Sequence, residues 1–250
     1  MASDGLPVWA RPERRTGRAT GSALSREQIV GAASRIADAD GIDAVSMRRI
    51  AAELGAGTMS LYRHVATKDD LFDLMLDAAI GEPFGKKTGE WLAFKRADTL
   101  RGNLLMMGHG LRTIVHRHPW VSQVMAGRPS FGPNMVRSID AALSFFDDLN
   151  LDADTMMNAI GAINAFVFGF VQEELAEKEM QRRTGLSEQE WRARMAPYIR
   201  SLLETGQYPR LRKVIVEGSD PEDHGVEFDA QLALVVGGII GSLPARARRA

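Results

Sequence analysis

The sequence predicts an all-α chain: an N-terminal three-helix helix-turn-helix unit followed by a larger helical domain. Three observations carry that prediction. Apolar residues recur at i, i+3, i+4 and i+7 in one segment after another, and no strand-like alternation of useful length occurs. Two short apolar stripes, at 46–54 and 58–65, are separated by Gly55-Ala56-Gly57. Of the 250 residues 45% are hydrophobic, enough for a core, and two long stretches are apolar around most of a helical circumference.

Residues 1–24 read as a flexible arm. The run "RPERRTGRATG" is rich in Arg, Gly and Thr and has no periodicity, so it is either a solvated tail or an arm that touches phosphates or a minor groove. Order begins at Ser25, which forms a capping-box pattern with Gln28. Ile29, Ala32, Ala33, Ile36 and Ala37 then share one helical face, and Gly41 ends the helix. Ser46 caps a second, short helix with Met47, Ile50, Ala51 and Leu54 inward. Thr58 starts a third, and Thr67 with Asp70 caps a fourth that carries Leu71, Leu74, Met75, Ala78 and Ala79. These elements define a unit over 25–84, and 85–250 forms the second domain. The segment 81–90, across their boundary, is a linker or helix end, and beyond it helices fall near 91–117, 119–127, 132–149, 152–178, 187–203 and 226–243. The stretch "EGSDPEDHG", 217–225, is a loop.

Composition narrows the function. The absence of cysteine excludes disulfides and thiolate metal sites and suits a reducing cytosol, so a cytoplasmic protein is expected. The first 25 residues show no secretion-signal pattern. The least polar runs, 159–171 and 232–243, fall short of the roughly 20 residues of a membrane span, so no membrane partner is expected. Residues 1–68 hold 10 Lys and Arg against 7 Asp and Glu, whereas the rest of the chain is net acidic. That asymmetry suits an N-terminal part that meets an anion. His116-Arg117-His118 does not place two ligands on one helical face, and no nucleophile elbow, phosphate-cradling loop or zinc-protease motif occurs. No enzyme activity, cofactor or metal is expected.

In "LGAGTMSLYRHVATKDDL", Leu61 and Val65 anchor the third helix on its neighbours. Tyr62, Arg63 and His64 are left outward, with donors and flat faces suited to base edges and phosphates in a major groove. The stretch "IADADGIDAVSMRRIAAELGAGTMSLYRHVATKDDLFDLML", with its Ser46-Met47-Arg48 start and its Lys68-Asp69-Asp70-Leu71 turn into the next helix, resembles the DNA-binding domain of the TetR family of bacterial transcriptional repressors. The resemblance implies DNA contacts from Arg48, Thr58, Met59, Ser60, Tyr62, Arg63, His64 and Lys68. It also implies a homodimer on a palindromic double-stranded operator. Lys68 would grip a phosphate with the help of a helix N-terminus.

The second domain is then expected to dimerise through the helices near 152–178 and 226–243, whose small residues permit close approach, and to bind a small, largely apolar effector. Asn103, Met107, Trp120, Met125, Phe131 and Phe145 are its candidate cavity residues. The stretch "HRHPWVSQVMAGRPSFGPNMVRSIDAAL" is similar to the regulatory domain of the tetracycline-repressor subgroup. That likeness implies pocket positions at Asn103, Met107, Arg128 and Pro129 and an acidic position near Glu173. Val124 stands where that subgroup has a metal-binding histidine, so a magnesium–tetracycline ligand is not expected. The alternative to a ligand-released repressor is a ligand-independent DNA-binding regulator or activator.

Overall fold

The computed structural model describes residues 7–11, 24–82, 97–127, 130–218 and 223–245. Among them are eleven α-helices and no strand. Local chemistry sets the first four. In α1 (Arg26–Asp40), the Ser25 side chain accepts from the Gln28 N–H and the Gln28 side chain accepts in return from the Ser25 N–H. Ser46 caps α2 (Met47–Glu53) and Thr67 caps α4 (Lys68–Gly81). Between α2 and α3 (Thr58–Tyr62), Gly55 takes φ +62°, a conformation that L side chains resist. Ile29, Ala33, Ile36, Ile50, Leu61, Val65, Leu71 and Met75 close into one core, so burial holds a helix of only five residues in place.

The arm expected over 1–24 is corrected at one place. Val8–Ala10 form a short 3-10 turn with Val8 buried, and Arg11, just after it, bonds Asp70 of α4 at 2.7 Å. Val8 and Trp9 of this turn join the core beside α4, a signal masked by the basic run that follows them. Residues 1–6 and 12–23 of the arm, and the linker from 83 to 90, lie outside the described residues.

The second domain begins with α5 (Leu100–Arg117), which Thr99 caps, so its start lies well after residue 91. α6 (Trp120–Gly127) and α7 (Pro133–Leu143) follow. The expected helix over 132–149 changes character at Ser144: the last six residues tighten into a 3-10 turn that ends on Asn150 at φ +47°. Tightening of this kind satisfies carbonyls at a helix end. α8 (Ala153–Thr184) outruns its expected end at 178 until Gly185, in the left-handed region, stops it. α9 (Glu188–Glu204), an unforeseen α10 (Pro209–Glu217) opened by its proline, and α11 (His224–Ser242) complete the chain.

α5, α8 and α11 pack against one another around Leu104, Ile163, Val167, Phe170, Phe228 and Leu232. The Arg112 guanidinium lies 4.5 Å from the Phe228 ring centroid and pairs with buried Glu174, which also meets His116 at 2.7 Å. By length and composition α8 and α11 are each apolar enough to cross a membrane, with mean hydropathy 1.3, because their helices extend beyond the short runs visible in sequence. They bury one face each within the protomer. Within the protomer their other faces are open: Met157, Gly161, Ala165 and Gly169 of α8 and Leu234 and Gly238 of α11 are exposed.

Candidate DNA-binding surface and ligand cavity

α3 and the turn after it are held at two points. Leu61 and Val65 are fully buried, and Arg26 of α1 donates to the His64 carbonyl at 3.4 Å. With its inner face fixed, the helix turns Met59 and Tyr62 outward, at 72% and 47% exposure. Arg63 and Arg48 are exposed, and Thr58, Ser60 and His64 are partly so. Lys68, exposed at the first position of α4, lies 5.1 Å from the Phe72 ring centroid. The Thr67 hydroxyl accepts from the Asp70 N–H, so one amide of that helix end is already satisfied. The eight sequence-derived DNA residues thus fall on α2, on α3 with the turn that follows it (Arg63 and His64), and at the start of α4, and none of them is buried.

Three carboxylates tie this unit to the second domain. Asp38 of α1 accepts from the Trp120 indole N–H and meets His118 Nδ1, both at 2.7 Å. Glu82, just beyond α4, meets Arg117 at 2.7 Å and His118 at 3.2 Å. Burial pushes the Glu82 carboxyl up, but Arg117 and His118 outweigh it and hold the group below its ordinary value. Asp77 of α4 accepts from the backbone N–H groups of Asn134 and Met135, both at 2.9 Å. Burial raises its pKa above the ordinary carboxylate value despite those bonds. The "HRHPW" stretch therefore serves as an interdomain tie.

A cavity of about 130 Å³ lies between α4, α5, α6, α7 and α8. Ile80, Met106, Met107, Leu111, Ile114, Met125, Met135, Ile139, Phe145 and Ile160 give it apolar walls, and Ser138 and Asn164 supply its polar points. Of the sequence-derived ligand residues, Met107, Met125 and Phe145 line it. Asn103 does not: it is buried, and its side-chain amide accepts from the Ala97 N–H at 2.8 Å and donates to the Ala97 carbonyl, tying down the start of α5. Trp120 is buried at the Asp38 junction instead, and Phe131 is 67% exposed. Arg128 and Pro129 lie outside the described residues. Glu173 is exposed, whereas its neighbour Glu174 is the buried acid, one helical position around. Sequence reading missed Met135, Ser138, Ile139 and Asn164. The strong amphipathicity of α7 was the available signal, but which flank of its apolar face meets a void depends on the packing of five helices.

Among the described residues, Glu177, Glu188 and His224 bring ligand-type atoms within 4.8 Å of one another. Glu177 already meets His224 at 2.7 Å and Glu188 pairs with Arg192, so the cluster is an ion-pair network.

Comparison with known proteins matches both halves. Residues 29–75 fit the model for bacterial regulatory proteins of the tetR family, and residues 95–242 fit that for a tetracyclin repressor-like C-terminal domain. The chain is 36% identical over 216 residues to the HTH-type transcriptional repressor DrrR1 of Streptomyces coeruleorubidus, covering 84% of this chain and 76% of that one. It is 26% identical to the class C tetracycline repressor of Escherichia coli, covering 86% of this chain and 90% of the relative. In fold it is similar to ActR of Streptomyces coelicolor, solved in complex with actinorhodin, with a TM-score of 0.69 at 24% identity over 87% of this chain and 97% of that one.

Proposed function

The chain belongs to the TetR family of bacterial transcriptional regulators, and from that premise we propose that it is a cytoplasmic, non-enzymatic repressor that leaves a palindromic operator when a small apolar molecule occupies its cavity. The observation that carries this reading is a fully buried Leu61–Val65 anchor beneath an exposed Met59–Tyr62–Arg63 face. Thr58, Met59, Ser60 and Tyr62 would read base edges, with Arg48 alongside, while Arg63, His64 and Lys68 would hold phosphates. One such unit makes few base contacts. Two, about 34–36 Å apart on successive major grooves, suffice. The open small-residue face of α8 and the Leu234 face of α11 would supply the two-fold interface that sets this spacing.

The effector is neutral. None of the described residues lining the cavity is charged, and an ion taken there from water would be unpaired. At about 130 Å³ the cavity matches a single aromatic ring, since an apolar cavity of roughly 150 Å³ binds benzene. Met106, Met107, Met125 and Met135 can repack around a larger molecule, with Ser138 and Asn164 meeting one or two hydroxyl or carbonyl groups. DrrR1 is named as a repressor and ActR was solved with actinorhodin, which supports both halves of the reading.

Selection of a random duplex pool with the purified protein tests it. A palindrome should be enriched, and 1-naphthol, a neutral ring system with one hydroxyl, should release it. A pool that remains random would overturn DNA recognition. An enriched palindrome indifferent to every neutral aromatic compound would favour the ligand-independent alternative.

A further inference from the structure

We propose that Asp77 is the positioning residue through which the cavity and the DNA-reading helices sense each other, by capping α7 from a different domain. This rests on the ligand-released reading above. α7 has no side-chain cap of its own: Gly132 precedes it and Pro133 opens it. Its first free amides, on Asn134 and Met135, instead donate to one oxygen of Asp77, each at 2.9 Å, and the Asn134 side chain donates to the Asp77 carbonyl at 3.1 Å. A helix N-terminus favours an anion, which offsets part of the cost of burying the Asp77 carboxylate here.

The fit is close on both sides. A methyl group at Gly132 would strike the Asp77 carboxyl and stand 2.7 Å from Trp9 Cζ2. One at Gly81 would strike the Asn134 side chain, 2.7 Å from its Cγ. A side chain at either position would force the Asp77 or Asn134 side chain out of its present place at this junction. The two helices also meet at the cavity, because α4 contributes Ile80 and α7 contributes Met135, Ser138 and Ile139. Met135 therefore holds Asp77 with its backbone while its side chain walls the ligand space. At its other end α4 sends Leu71 into the same buried core that holds Leu61 and Val65. An N–H···O bond of 2.9 Å does not survive a displacement of about 1 Å, so a ligand that pushes α7 outward must either drag α4 with it or break the cap.

The test compares wild type with Asp77→Leu, which removes the acceptor, Asp77→Asn, which keeps shape and loses charge, and Gly132→Ala, which intrudes from the α7 side. Operator affinity is measured by fluorescence anisotropy on the selected palindrome, with and without 1-naphthol, and the ratio is the coupling factor. Asp77→Leu and Gly132→Ala should lower that factor about tenfold, within the usual range of allosteric coupling, with Asp77→Asn between them and wild type. For the two Asp77 variants, which leave the cavity lining untouched, the affinity for 1-naphthol alone, followed by its own fluorescence, should stay within about twofold. A second readout needs no effector: adding the palindrome should slow amide exchange at Asn134 and Met135 in wild type and not in Asp77→Leu or Gly132→Ala. Unchanged coupling in the folded variants overturns the proposal, as does exchange at those amides that ignores DNA. If wild type binds the palindrome but 1-naphthol never releases it, the effector reading fails, and the exchange measurement alone decides the role of Asp77.

Discussion

Filling the cavity by one side chain separates ligand response from DNA binding. Gly110 lies on α5 and lines the cavity, and a Cβ placed on it meets nothing within 4 Å. Gly110→Leu therefore enters open space. Replacing glycine by a good helix former within a helix is worth about 1 kcal/mol. Burying part of the new side chain adds on the order of 1–2 kcal/mol, less whatever crowding remains. For a chain of this size each kcal/mol moves the melting temperature by about 2–4 °C, so a rise of up to roughly 4–12 °C, reduced by the crowding that remains, is expected by scanning calorimetry. Elsewhere, deleting a leucine side chain has opened a cavity of roughly 150 Å³. Adding one here should close most of the 130 Å³ present. Palindrome binding should remain within about twofold, because Gly110 lies on α5, away from α2 and α3. The concentration of 1-naphthol needed for half-release should rise at least about tenfold, equivalent to roughly 1.4 kcal/mol of lost binding. A stabilised Gly110→Leu protein released at the wild-type concentration would place the effector elsewhere and refute the assignment.

Other consequences can be checked directly. Tyr62→Ala should weaken operator binding by about 1–3 kcal/mol and relax preference at one base pair, while Lys68→Ala should weaken all duplexes alike and lower the salt slope by roughly 0.9, both read by anisotropy titrations at graded salt. Gly55→Ala forces a side chain into φ +62° with no clash around it, so denaturant unfolding should show a loss of about 1 kcal/mol from backbone strain alone. Glu174 responds to pH: burial raises its carboxyl, but Arg112 and His116 outweigh burial and hold it below the ordinary value. Its folded pKa is depressed, so its contribution is complete above the unfolded value of about 4.3 and is lost as pH falls through the folded value beneath that. Unfolding followed from pH 6 downward should steepen there in wild type, and Glu174→Gln should flatten the step.

The DNA-reading unit was legible in the sequence because its cues are local. The Ser25–Gln28 box, the Ser46 and Thr67 caps and Gly55 act within three or four residues, and the Leu61–Val65 stripe is one turn of helix. The cavity was half legible. Met107, Met125 and Phe145 were named for their apolar bulk, but so were Trp120 and Phe131, and bulk alone does not distinguish a wall of a void from a plug of the core. Asn103 shows the same limit for polar residues, since its partner Ala97 sits on an irregular segment that no periodicity reveals. The Val8–Ala10 turn was hidden because three apolar residues beside an Arg-rich run carry no helical period, and only the surface of α4 gives them a place. Asp77 is a long-range case: nothing near it in sequence announces an acceptor for amides 57 and 58 residues away.

One distance tests the whole account. The chain has no cysteine, so Ala66→Cys, at an exposed position just past the reading helix, accepts a single nitroxide label per protomer. Pulsed dipolar spectroscopy on the palindrome-bound protein should give one narrow distribution near the groove repeat, about 34–36 Å plus the reach of the label tethers, and 1-naphthol should shift it as the duplex dissociates. No dipolar signal, or a distribution that is identical with and without the effector, would contradict a symmetric pair of reading helices whose spacing the cavity controls.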